Sequence, residues 1–83
     1  MNTSQEAAER IAPTAATLRQ RVFNAIAEAG GDGLTDDEIQ TRLGMQGNTE
    51  RPRRRELEDA GRITSMGKRY NTRGNLCRVW VAL

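Results

Sequence analysis

Arginine is the residue type with the most chemistry to offer in this chain: Arg51, Arg53, Arg54 and Arg55 crowd into one run, and Lys68, Arg69 and Arg73 into a second. A guanidinium is a planar fork that can bond two phosphate oxygens, or the O6 and N7 edge of guanine. Asn48 and Thr49 stand just before the first run, with polar side chains of a size suited to a base edge or a phosphate oxygen. These groups recognise a polyanion; they do not make or break bonds. The chain has no histidine and a single cysteine, Cys77, so it cannot form an internal disulfide and lacks the usual ligands of a transition metal. With no phosphate-cradling glycine loop and no activated nucleophile, the sequence predicts a protein that is not an enzyme and takes no cofactor.

Net charge is only +2 over 83 residues, but its distribution is uneven. Residues 1–50 hold eight acids against four bases, whereas residues 51–83 hold nine bases against three acids. One end is thus built to meet a negative surface. The length allows one domain. No apolar run suggests a signal peptide or a membrane span, and a lone cysteine suits a reducing compartment, so the expected setting is the cytoplasm, away from membranes.

The elements that must position these cations can be read from periodicity and punctuation. Residues 1–13 are polar and alanine-rich and end at Pro13, which predicts a flexible or partly helical arm ahead of a domain spanning 14–83. From about Thr14 to Ala29, Ala15, Leu18, Val22, Ala25, Ile26 and Ala29 share one stripe at about 100° per residue, the signature of an amphipathic helix. Gly30, Gly31 and Gly33 end it. Thr35 and Glu38 have the spacing of a capping box, and Leu34 with Ile39 that of a hydrophobic staple, so a second, short helix runs to Gly44. After the turn Met45–Gly47 a third helix is expected from Thr49 to Ala60, with Pro52 in its first turn, where a missing N–H loses no partner. Beyond Gly61 the period falls to two. Ile63–Ser65 and Cys77–Ala82 read as strands of a wide hairpin whose loop is Met66 to Asn75.

Helix geometry separates the arginines of the third helix. With Leu57 facing the core, Glu50, Arg53 and Arg54 lie within about 60° of it, whereas Arg51 and Arg55 point away. The second pair is therefore assigned to base edges or phosphates, and Arg53 and Arg54 to pairing with Glu50, Asp37 or Glu38. An ordinary solvated helix face is the competing explanation for Arg51 and Arg55, and a solubilising edge loop the one for Lys68, Arg69 and Arg73. Trp80 is expected to pack against the sheet or the first helix, with Arg78 over its ring. Cys77 is expected to be an inert buried thiol.

Two helices joined by a short glycine-containing turn form a helix-turn-helix, whose second member is presented to the major groove. The run from Gly33 to Ile39, the run from Gly47 to Gly61, Asn71-Thr-Arg-Gly and Arg78-Val-Trp-Val together resemble small winged helix proteins, particularly phage-encoded ones. The resemblance spans about residues 14–83 and implies an α+β, mainly α fold: a three-helix winged helix-turn-helix with a C-terminal β-hairpin wing and a minimal first strand at Gly33–Thr35. The arginine runs on this layout lead to the expectation of sequence-specific binding of double-stranded DNA, by a phage regulator of transcription or of another DNA transaction. The expected contacts are Asn48, Thr49, Arg51, Arg55, Lys68, Arg69 and Arg73. The alternative is a protein-interaction module engaging a host or phage protein, with a homodimer as a further candidate assembly. Single-stranded nucleic acid ranks behind both, because one aromatic in the basic region makes a poor stacking platform.

Overall fold

The computed structural model describes residues 14–83; the expected N-terminal arm, residues 1–13, lies outside them. Helix α1 (Ala15–Ala29) opens at Thr14, whose hydroxyl accepts from the Thr17 N–H at 3.1 Å. It buries Val22, Ala25 and Ile26, while Ala15 at its start is exposed and Leu18 half-buried. A single 3-10 turn (Gly30–Asp32) follows. Helix α2 (Asp36–Leu43) begins with the expected capping box: the Thr35 hydroxyl accepts from the Glu38 N–H, and the Glu38 carboxylate accepts from the Thr35 N–H at 2.8 Å.

Helix α3 (Gly47–Asp59) starts two residues before the expected position, and its N-cap is Gln46, with no side-chain cap bond. Pro52 accordingly lies inside the helix, past the first turn. Its missing N–H leaves the Asn48 carbonyl without an i+4 donor. Asn48 and Pro52 are both exposed, so water can solvate that carbonyl and the helix tolerates the loss. The helix closes at Ala60 with the Arg62 N–H on the Leu57 carbonyl and the Gly61 N–H on that of Glu58, a pattern that puts Gly61 at φ 72°, where a glycine is favoured.

Two antiparallel strands complete the chain, β1 (Ile63–Tyr70) and β2 (Leu76–Ala82). The hairpin is longer and its loop tighter than the sequence suggests. Lys68, Arg69 and Tyr70 belong to β1, paired with Arg78, Cys77 and Leu76, and a bulge at Met66 and Gly67 absorbs the polar stretch that reads as loop. Asn71 organises the turn. Its side-chain oxygen accepts from the N–H groups of Arg73 and Asn75, at 3.0 and 2.8 Å.

Leu34 forms a one-residue bridge with Trp80, giving β2 a minimal second partner. The bridge depends on Gly33: at φ 63°, a Cβ there would stand 2.5 Å from the Trp80 carbonyl oxygen. The core joins Val22, Ala25 and Ile26 of α1 to Ile39 of α2, Leu57 of α3, Ile63 of β1 and, at its centre, Trp80 of β2. Three helices followed by an antiparallel hairpin make a mainly helical α+β fold, an order consistent with a winged helix layout.

Candidate nucleic-acid interface

Burial and pairing divide the arginines of α3 into two sets. Arg54 is nearly buried and grips the Asp36 carboxylate with two parallel bonds, Nε to Oδ1 at 3.0 Å and Nη2 to Oδ2 at 2.9 Å. A third bond runs to Glu58, and the guanidinium lies 4.4 Å from the centroid of the Trp80 ring. Burial works against its charge, but the bonds to Asp36 outweigh that and raise its pKa further. Arg53 bonds Glu56 at 2.8 Å, and Glu56 also receives Arg19 of α1 at 2.9 Å. Arg54 therefore ties α3 to α2, whereas Arg53 pairs within α3 and shares Glu56 with the Arg19 tie to α1. The expected partners were Glu50, Asp37 and Glu38; the observed ones are Asp36 and Glu58 for Arg54 and Glu56 for Arg53.

Glu50 holds a position of its own, fully buried between α2 and α3. Gln40 donates to its Oε1 at 3.0 Å, and Oε2 has no partner among the described residues. Burial first, and the nearby Asp36 carboxylate after it, push its pKa up to about 8 against the opposing bond from Gln40. It is thus a neutral acid at pH 7.

Arg51 and Arg55 are exposed, and neither makes a salt bridge among the described residues. Arg51 folds back over the start of the helix, where a Cβ on Gly47 would meet its guanidinium nitrogen at 2.5 Å. Asn48 is exposed and Thr49 half-buried on the same first turns. Asn48, Thr49 and Arg51 thus lie together on the first turns of α3, with Arg55 one turn further along.

The wing cations behave differently. Lys68 is exposed and unpaired among the described residues. Arg69 reaches the Glu38 carboxylate at 2.6 Å and the carbonyls of Asp32 and Gly33 at 3.2 Å each, so its guanidinium anchors the hairpin to the body instead of facing outward. Arg73 is exposed but touches Asp37 at 3.3 Å, and Asn71 donates to the same carboxylate oxygen at 2.6 Å. The Asn71 amide, chiefly, and Arg73 hold the Asp37 pKa below its ordinary value despite partial burial. Burial raises that of Glu38, but Arg69 and the Thr35 backbone overcome it and leave it lowered. The acids at the start of α2 thus clamp the wing.

Two further side chains depart from expectation. Trp80 is buried at the core, but the cation over its ring is Arg54; Arg78 is exposed and lies beside Arg51 along a cleft between α3 and β2. Cys77 is half-buried, its thiol directed to the Asn75 carbonyl at 3.5 Å, because β2 leaves the core beyond Val79 and only Val79, Trp80 and Val81 are fully covered. Sequence reasoning missed Arg78 as a member of the basic surface. The available signal was that no acid follows Asp59, which leaves a cation on β2 without a neighbour to neutralise it.

Among the described residues no cluster of potential metal ligands occurs, and no helix is long and apolar enough to cross a membrane. Compared with models of known families, with curated proteins and with solved structures, the chain gives no match in any of the three. The fold and the charges on its surface carry the functional reading.

Proposed function

We propose that this chain is a winged helix protein that binds double-stranded DNA, with α3 entering the major groove N-terminus first. The observation that carries the reading is a sorting of charge. The inward arginines of α3, Arg53 and Arg54, are neutralised by named carboxylates, whereas Arg51 and Arg55 face solvent without a partner among the described residues. Asn48 and Thr49 lie within a turn of Arg51 and about two turns from Arg55, placed for a base edge or a phosphate oxygen. Asp59 stands exposed at the other end of α3 and, unlike Glu56 and Glu58, has no arginine partner among the described residues, so it repels phosphate there and favours approach by the first turns. Regulation of transcription or of another DNA transaction in a phage is the role that agrees with the resemblance.

Titration of a fluorescent duplex at several salt concentrations tests this. Neutralising about four to six phosphates gives a slope of log K against log salt of about −4 to −5. A flat response, or no binding at low salt, refutes it.

One observation favours a rival reading as a protein-docking module: Met66, Tyr70 and Leu76 are large apolar side chains left exposed on the wing. Changing both Arg51 and Arg55 to alanine separates the two. Loss of duplex binding supports the DNA reading, whereas intact binding of a protein partner by a chain that never bound duplex supports the rival.

A further inference from the structure

The cleft between α3 and β2 carries more positive charge than the helix alone accounts for. Arg78 projects from β2 beside Arg51, and the same strand and helix bound an adjoining open notch of about 660 Å³ that Arg51, Arg55 and Arg78 share. Arginines from two elements thus line one notch, together with Glu58 and Asp59, and the cleft beside it is also lined by Asp36, Asp37 and Arg73. None of Arg51, Arg55 and Arg78 makes a salt bridge among the described residues. The nearby carboxylates are already engaged: Asp36 and Glu58 by Arg54, and Asp37 by Asn71 and Arg73. Asp59, on the outer wall of the notch, is the exception and is exposed. Cations gathered without counter-charges repel one another, and an anion seated among them removes that repulsion.

The strand register extends the patch. Lys68 of β1 pairs directly with Arg78, which puts the two side chains on one face of the hairpin, and Tyr70 and Leu76 form the next pair on that face. A basic pair followed by an apolar pair suits a sugar–phosphate strand, whose charged oxygens alternate with apolar deoxyribose. The wing tip offers less, since Arg69 and Arg73 are already bonded to the body.

We propose that Arg78 completes a phosphate-binding notch with Arg51 and Arg55, so that the duplex backbone runs along the α3–β2 cleft and over the Lys68–Arg78 face of the hairpin, not across the wing tip. The inference rests on the DNA-binding reading and names the backbone contact within it. Its phosphate is held by arginines from α3 and from the strand that carries Trp80, against which α3 packs through Arg54 and Leu57, and this fixes the register of α3 on the duplex.

The test compares duplex binding by the unaltered chain with that of Arg78→Ala, Arg78→Lys and Arg73→Ala, each at several salt concentrations, with thermal melting to confirm equal folding. Arg78→Ala is expected to weaken binding roughly tenfold and to reduce the salt slope by about one. Arg78→Lys retains the slope because the charge remains, and Arg73→Ala changes affinity less than about twofold because Asp37 already holds that cation. If the unaltered chain binds duplex and Arg78→Ala binds as tightly with the same slope, the notch is wrong and the DNA reading stands. The notch is equally wrong if the loss falls on Arg73→Ala. Absence of duplex binding by the unaltered chain overturns the DNA reading, and the notch with it.

Discussion

Replacing Glu50 with glutamine should make the protein more stable at neutral pH, even though it removes a residue from the middle of the α2–α3 contact. Glu50 is fully buried, faces the Asp36 carboxylate and the Gln40 amide from α2, and has Arg54 beside it on α3. Its ordinary pKa of 4.5 rises to about 8 in the fold, so the native state holds a proton that the unfolded chain releases. Below pH 4.5 both states are protonated and the site carries no penalty. Between that value and 8, each pH unit removes about 1.4 kcal/mol of stability, and above 8 the loss is complete. At pH 7 the penalty is on the order of 3 kcal/mol, a large part of the stability available to a domain of this size. Glutamine has nearly the same shape, accepts from Gln40 and donates toward Asp36, but has no proton to lose. Urea denaturation of both proteins at pH 5, 6, 7 and 8 should show Glu50→Gln gaining about 2 kcal/mol at pH 7, with a melting temperature higher by roughly 10 °C. The gain should shrink toward pH 5. Histidine, the usual side chain titrating in this window, is absent from the chain. A variant equally destabilised at every pH, or an unaltered protein whose stability does not fall from pH 5 to 8, refutes the reasoning.

Two further outcomes follow from the paired arginines and the clamped wing. Arg54→Ala leaves Asp36 without its bidentate partner and uncovers the Trp80 ring, so circular dichroism should report a loss of about 2–4 kcal/mol. Arg54→Lys should recover only part, because an ammonium cannot reproduce the fork. The wing should loosen in acid. Asp37 and Glu38 have lowered pKa values in the fold, so their contribution is present above the ordinary carboxylate range and lost as pH falls through it. Amide resonances of Asn71 to Asn75 should shift below about pH 4 before the helices melt, and Asp37→Asn should reproduce much of that change at neutral pH.

How much of this was legible in the sequence depends on whether the information was local. The capping box at Thr35 and Glu38 and the apolar stripe of α1 are set by neighbours three and four positions away; the box stands as read, and of the stripe Val22, Ala25 and Ile26 are buried, Leu18 and Ala29 half-buried and Ala15 exposed. The outward direction of Arg51 and Arg55 was legible for the same reason, since a single helix phase fixes it. The start of α3 was not. Pro52 argued for a later beginning, but its cost falls on the exposed Asn48 carbonyl, which water can satisfy, so packing overrides the local preference. The length of the hairpin was hidden by polarity. Lys68 to Tyr70 have no apolar alternation because this part of β1 extends past the core, and the bulge that lets it pair with β2 has only Gly67 to mark it. The partners of Arg54, Arg69 and Arg73 are 18 to 36 positions away, and no local pattern specifies contacts at that separation.

Those distant pairs change what the charge asymmetry of the chain means. Nine bases in the last 33 residues suggest a broad basic end, yet Arg53, Arg54, Arg69 and Arg73 all meet carboxylates, three of those carboxylates belonging to Asp36, Asp37 and Glu38 at the start of α2. The acidic front half is therefore the internal counter-charge of the basic back half, joined to it where α2 touches α3 and the wing. Of the five bases left without a carboxylate among the described residues, Arg62 lies over the Phe23 ring, and Arg51, Arg55, Lys68 and Arg78 lie along α3 and one cross-strand pair. The same arrangement sets the cost of altering it. Removing a carboxylate from the start of α2 frees a cation and loosens an anchor together, so affinity gained there would come with a wing less firmly placed, and Asp37→Asn should bind duplex more tightly while discriminating less between sequences.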